Sequence, residues 1–159
     1  MDERAERFIE MSALLTGFDR VQLLGTGMTD SYLRTLEDAV PAGTLDELLG
    51  AYERLPGGTD REAAVASQIL GHPKLGSVAR NLIVLWYCGT WTALPDAWQA
   101  VPGTSAADTS RVVSAEAYRA GRQWIVAGAH PAGARQQGYG AWAVPPEEVR
   151  EEGGADERR

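Results

Sequence analysis

The sequence predicts an all-α protein: a compact helical bundle with a long aromatic loop and an irregular Gly/Pro/aromatic segment near its carboxyl end. Three observations carry this expectation. Apolar residues recur at helical rather than alternating spacing, most runs open on a capping residue and close on Gly or Pro, and one run is apolar on nearly every side. With 159 residues and 44% hydrophobic content, the chain is long enough to bury the core of one domain. That domain is expected to cover residues 1–146, with residues 147–159 forming a charged, solvated and mobile tail.

In chain order, Phe8, Met11, Leu14 and Leu15 share a helical face, and Gly17 stands where a helix would end in a left-handed residue. Asp19 then offers a cap to a short element carrying Val21, Leu23 and Leu24. Thr29 or Asp30 can cap the run with Tyr32, Leu33 and Leu36, which must stop before Pro41. Thr44-Leu45-Asp46-Glu47 has the form of a capping box, with a hydroxyl at the cap and a carboxylate three residues on. Leu45, Leu48, Leu49 and Tyr52 form the apolar face behind it. Thr59 or Asp60 can cap an Ala-rich helix that runs to about Leu70 and ends at Gly71-His72-Pro73. From residue 74 to about 89, Leu75, Val78, Ala79, Leu82, Ile83, Leu85 and Trp86 nearly surround the axis, which places this helix at the centre. Residues 90–108, with Trp91, Leu94, Pro95, Trp98, Pro102 and Gly103, read as a long ordered loop. A last helix is expected from about 114 to 127, followed by the Gly- and Pro-rich stretch 128–146 with Tyr139 and Trp142. No internal repeat is visible.

Composition narrows the function classes. A net charge of −7 with no clustered Lys or Arg argues against nucleic-acid binding, which needs a basic stripe. Cys88 is the one cysteine, so the chain can form no internal disulfide and no thiolate metal cluster. The longest apolar run, residues 82–88, is far short of a membrane span. The amino end lacks an export signal pattern, so a cytoplasmic location is expected.

Chemical motifs are sparse. Gly25-Thr26-Gly27 invites a dinucleotide-loop reading, but Asp30 occupies the third glycine's place, where an anion would repel a pyrophosphate. A helix break followed by a new cap explains these residues better. There is no phosphate-loop, zinc-protease, nucleophile-elbow or paired-cysteine motif. His72 and His130 each precede a proline, and neither has a carboxylate at helical spacing to complete a metal shell. His72 reads as a residue of a helix-ending loop, and His130 as a structural donor or a group that reaches a partner. No catalytic, cofactor or metal residue is assigned.

The aromatic residues are the candidates for partner contact: Trp86, Tyr87, Trp91, Trp98, Tyr118, Trp124, Tyr139 and Trp142, with His130 beside them. Trp86 and Tyr87 also suit a core, whereas Trp91, Trp98, Tyr139 and Trp142 fall in loops of a small body, where large aromatics serve as interface anchors.

Several of these residues lie in blocks that together resemble a known family. The blocks are Phe8-Ile9-Glu10-Met11-Ser12 continuing to Leu15-Thr16-Gly17-Phe18, then Tyr32-Leu33, then Leu85-Trp86-Tyr87-x-Gly89. Tyr118 to Trp124, Ala129-His130-Pro131-x-Gly133-Ala134 and Trp142-x-x-Pro145 complete the set. In order and spacing they are similar to the small subunits of FAD-dependent sorbitol and sugar dehydrogenase complexes. The ending is more similar to glucoside 3-dehydrogenase small subunits than to the fructose or sorbitol members of the family.

The resemblance implies a non-catalytic accessory or chaperone subunit that stabilises a glucose-methanol-choline-type large chain. FAD belongs to that large chain, and electrons pass on to an acceptor, in some members through a cytochrome subunit. Two other readings stay open: a small standalone enzyme with a pocket under residues 128–146 and His130 as acid or base, and an independent helical scaffold.

Overall fold

In a computed structural model, the described residues are 2–98, 100–101, 103 and 105–131. The chain divides into two compact units, Met1–Ala129 and His130–Arg159. Nearly every described residue belongs to the first, which is mostly helical as its periodicity predicts. The expected tail and the boundary at 146 lie outside the described residues.

Helix α1 spans Glu3–Thr16, opened by the Asp2 carboxylate accepting from the Ala5 N–H and closed by Gly17 at φ 75°. Glu3 and Glu6 lie in its first turn, where the helix dipole favours negative charge. α2 (Arg20–Leu24) carries a complete capping box: Asp19 accepts from the Gln22 N–H at 2.8 Å, and the Gln22 side chain accepts from the Asp19 N–H at 3.0 Å. α3 spans Thr29–Ala39 and stops at Val40, which is extended before Pro41. Its expected side-chain cap is absent, since Met28 occupies the cap position and Thr29 and Asp30 are already helical. Instead the Thr26 hydroxyl ties the turn, donating to the Leu23 carbonyl at 2.6 Å and accepting from the Met28 N–H at 3.1 Å.

α4 (Thr44–Glu53) starts within a residue of its expected position but not by the expected means. The cap is Gly43 at φ 82°, and Thr44 is the first helical residue. Its side chain is turned inward, 1% exposed, and the buried Oγ1 has no hydrogen-bond partner. Local spacing matched a capping box, but packing against the core claimed the hydroxyl. Thr44→Val is therefore expected to stabilise the protein by about 1 kcal/mol, because an unpaired buried hydroxyl costs about 1–3 kcal/mol. A true cap would instead lose about 0.5–2 kcal/mol. The sign of the change in urea midpoint decides between them.

A 3-10 turn at Gly58–Asp60 leads into α5 (Arg61–Ala64), which continues as a π-helical turn over Val65–Leu70. The expected Thr59 or Asp60 side-chain cap is not made. The wide turn closes through the Gly71 N–H to the Ala66 carbonyl at 2.8 Å, and buries Val65 and Ile69. His72 has a local structural role. Its Nδ1 accepts from the N–H groups of Lys74 at 3.2 Å and Leu75 at 3.0 Å, at the start of α6 (Leu75–Cys88). As an acceptor, that nitrogen carries no proton.

α6 is the central helix, packed against α1, α3, α4 and the π turn. Gly76 permits the last of these contacts, since a Cβ there would lie 2.3 Å from the Leu70 carbonyl oxygen. Beyond Gly89 the expected continuous loop contains a small antiparallel ribbon, β1 (Thr90–Trp91) with β2 (Arg111–Val112), pairing Thr90 with Val112 and Trp91 with Arg111. Two-residue strands are too short to show an alternating pattern, so the all-α expectation omitted them.

The expected last helix is broken in two, α7 (Ala115–Ala120), capped by Ser114, and α8 (Gln123–Val126). The break falls at Gly121, whose backbone leaves the helical region, and only glycine fits there because a Cβ would lie 2.7 Å from the Tyr87 carbonyl oxygen.

Candidate functional site

The sequence-named aromatics separate into buried residues, half-buried residues and residues outside the described chain. Trp86 is 1% exposed. Its ring lies edge-on to Tyr32 with centroids 4.9 Å apart, and 6.4 Å from Phe8. Trp91 is fully buried and its indole N–H donates to Asp108 Oδ1 at 2.9 Å. The same oxygen accepts from the Leu94 N–H at 3.0 Å, so one buried carboxylate ties the end of the aromatic loop back to its start. Trp98 is also buried, its N–H donating to Ser77 Oγ at 2.9 Å.

These three tryptophans are core residues, which corrects their place among the contact candidates. Trp91 and Trp98 sit in an irregular segment, yet hydrogen-bond partners 17 and 21 residues away satisfy their N–H groups. A buried indole N–H usually finds such a partner, and no local pattern announces one.

Tyr87, Tyr118 and Trp124 are half-buried and keep part of their surface open. Tyr87 packs on Phe18 at 5.5 Å and donates its hydroxyl to the Thr16 carbonyl at 3.0 Å. Tyr118 and Trp124 form an edge-to-face pair at 5.2 Å, and the Trp124 N–H donates to the Tyr118 carbonyl at 2.8 Å. His130 is exposed and opens the second unit. Tyr139 and Trp142 lie outside the described residues.

The α7–α8 corner is seated on the carboxyl end of α6, where helix carbonyls lack intrahelical partners. The Arg122 N–H donates to the Trp86 carbonyl at 3.0 Å, and the Val113 N–H donates to the Gly89 carbonyl at 2.9 Å. Gly89, at φ 67°, admits the Ala117 backbone at a distance that any side chain would block. Arg122 is itself buried, its guanidinium 5.8 Å above the Phe18 ring and its charge near the negative end of the α6 dipole.

The Tyr32 phenol lies within the field of Arg122. Burial pushes its pKa well above the usual tyrosine value, the Cys88 thiol adds to the rise, and the Arg122 charge opposes it. The sign follows directly. The unfolded chain ionises near pH 10, while the folded chain keeps the phenol neutral, so the stabilisation is complete below about pH 10 and falls as pH rises beyond it. Urea titrations between pH 8 and 11 should show this loss, and Tyr32→Phe should reduce its slope. Equal slopes in the two proteins would remove Tyr32 as the cause.

Sequence reasoning missed Ile125 and Val126, which α8 leaves 54% and 66% exposed beside Trp124. The signal was present: Trp124-Ile125-Val126 is an apolar run on a short helical segment, and such a segment cannot bury every side. Arg122 and Asp108 were missed for a different reason, because their partners are distant in sequence.

Among the described residues, no group of three or more His, Cys, Asp and Glu side chains could hold a metal ion, and no helix is long and apolar enough to cross a membrane. An open hollow of about 290 Å³ lies beside the Pro41 turn, but Arg4 in its wall is engaged by Glu37 at 3.1 Å and Asp46 at 3.0 Å. No protein-family model, curated protein or solved structure matches the chain.

Proposed function

We propose that this chain is the non-catalytic small subunit of an FAD-dependent sugar or polyol dehydrogenase complex, in which it stabilises a glucose-methanol-choline-type large chain. The supporting observation is spatial. Blocks that resemble the family at three distant places in the sequence meet around the carboxyl end of α6. Phe8 and Phe18 of the first block pack on Trp86 and Tyr87, Tyr32 packs on Trp86, and the 118–124 block is tied to the same helix end by the Arg122 N–H, which donates to the Trp86 carbonyl. Motif residues serving one corner are what a shared subunit architecture requires.

The oxidation would take place in the large chain, whose flavin would take the hydride from the sugar carbon while a base there takes the hydroxyl proton; the reduced flavin would then give up electrons one at a time, with release of protons, to an acceptor such as a cytochrome subunit. This chain contributes surface instead. Of the candidates, Tyr87, Tyr118 and Trp124 retain exposure in the first unit, where Ile125 and Val126 are also exposed, and His130 is exposed in the second. Aromatic and aliphatic anchors of this kind supply most of the energy of an interface.

Co-expression with the large chain, followed by size exclusion and a flavin spectrum, tests the proposal. The two chains should co-elute with bound flavin. A large chain that is soluble, flavin-loaded and fully active without this protein would refute the subunit role. The double substitution Ile125→Asp, Val126→Asp should reduce recovery of the complex at least thirtyfold, the equivalent of about 2 kcal/mol at an anchor. The melting temperature of the isolated subunit should barely move, since both side chains are exposed. Unchanged recovery would take α8 out of the interface.

A further inference from the structure

We draw no further inference here: the strongest candidate, the exposed Ile125–Val126 face of α8 beside the Tyr118–Trp124 ring pair, belongs to the contact surface already proposed, and nothing in the structure shows what else covers it.

Discussion

Gly89→Ala is expected to destabilise the protein by about 3 kcal/mol or more, while Gly17→Ala costs about 1–2 kcal/mol. Both glycines end a long helix in the left-handed conformation, at φ 67° and 75° respectively. An L side chain pays a similar conformational penalty at each. Their surroundings differ. A Cβ on Gly17 would meet nothing within 4 Å, whereas one on Gly89 would lie 2.4 Å from the Ala117 carbonyl carbon and 2.5 Å from its oxygen. Those atoms are backbone, so they cannot rotate away as a side chain would. Relief requires α7 to lift from α6, breaking the Val113-to-Gly89 and Arg122-to-Trp86 hydrogen bonds. Domains of this kind are stable by only about 5–15 kcal/mol, so the loss is a large share of the whole. Urea midpoints of the two variants provide the measurement. Equal losses would mean that the close approach of α7 contributes nothing and that only the backbone conformation matters.

Trp86→Ala should produce the other large effect, about 3–5 kcal/mol, because removing a fully buried indole leaves a cavity between Phe8 and Tyr32. The expected result is a lower melting temperature of the isolated chain, with any assembly of the proposed complex lost as a consequence of unfolding. An interface tryptophan behaves differently: truncation costs affinity and leaves the free chain stable. Trp86→Phe gives a milder test if the alanine variant does not fold. The indole N–H has no hydrogen-bond partner, so the change removes volume without orphaning an acceptor. A Trp86→Phe variant that melts unchanged but binds the proposed large chain weakly would return Trp86 to the proposed interface.

The two classes of residue differ in how far their signals reach. Gly17 is readable from sequence because a left-handed helix end is a property of one residue, and Asp19 because a cap acts across three. The Thr44 box matched the same short-range rule and failed, since the rule does not register which way the buried core draws a side chain. Gly121 shows the opposite case. Gly121 weakens a helix locally but does not by itself announce a break, and it is the Tyr87 carbonyl, far away in sequence, that leaves no room for a side chain there.

The candidate contact surface was legible to a similar degree. Aromatic content identified Tyr118 and Trp124, which keep open faces, but also Trp91 and Trp98, which the fold buries. Whether a loop tryptophan is an anchor or a core residue depends on a partner such as Asp108 or Ser77, and those lie 17 and 21 residues away.

The sequence by itself determined the helical class, the central position of α6 and the approximate position of several helix ends, because 3.6-residue periodicity, the Asp19 cap and helix-breaking Gly and Pro act within a few residues of one another. Only the tertiary structure decided the α7–α8 break, the ribbon beside Gly89 and the burial of Trp91 and Trp98. Each of these depends on groups brought together across long stretches of chain, where packing energies of several kcal/mol exceed local preferences of less than one.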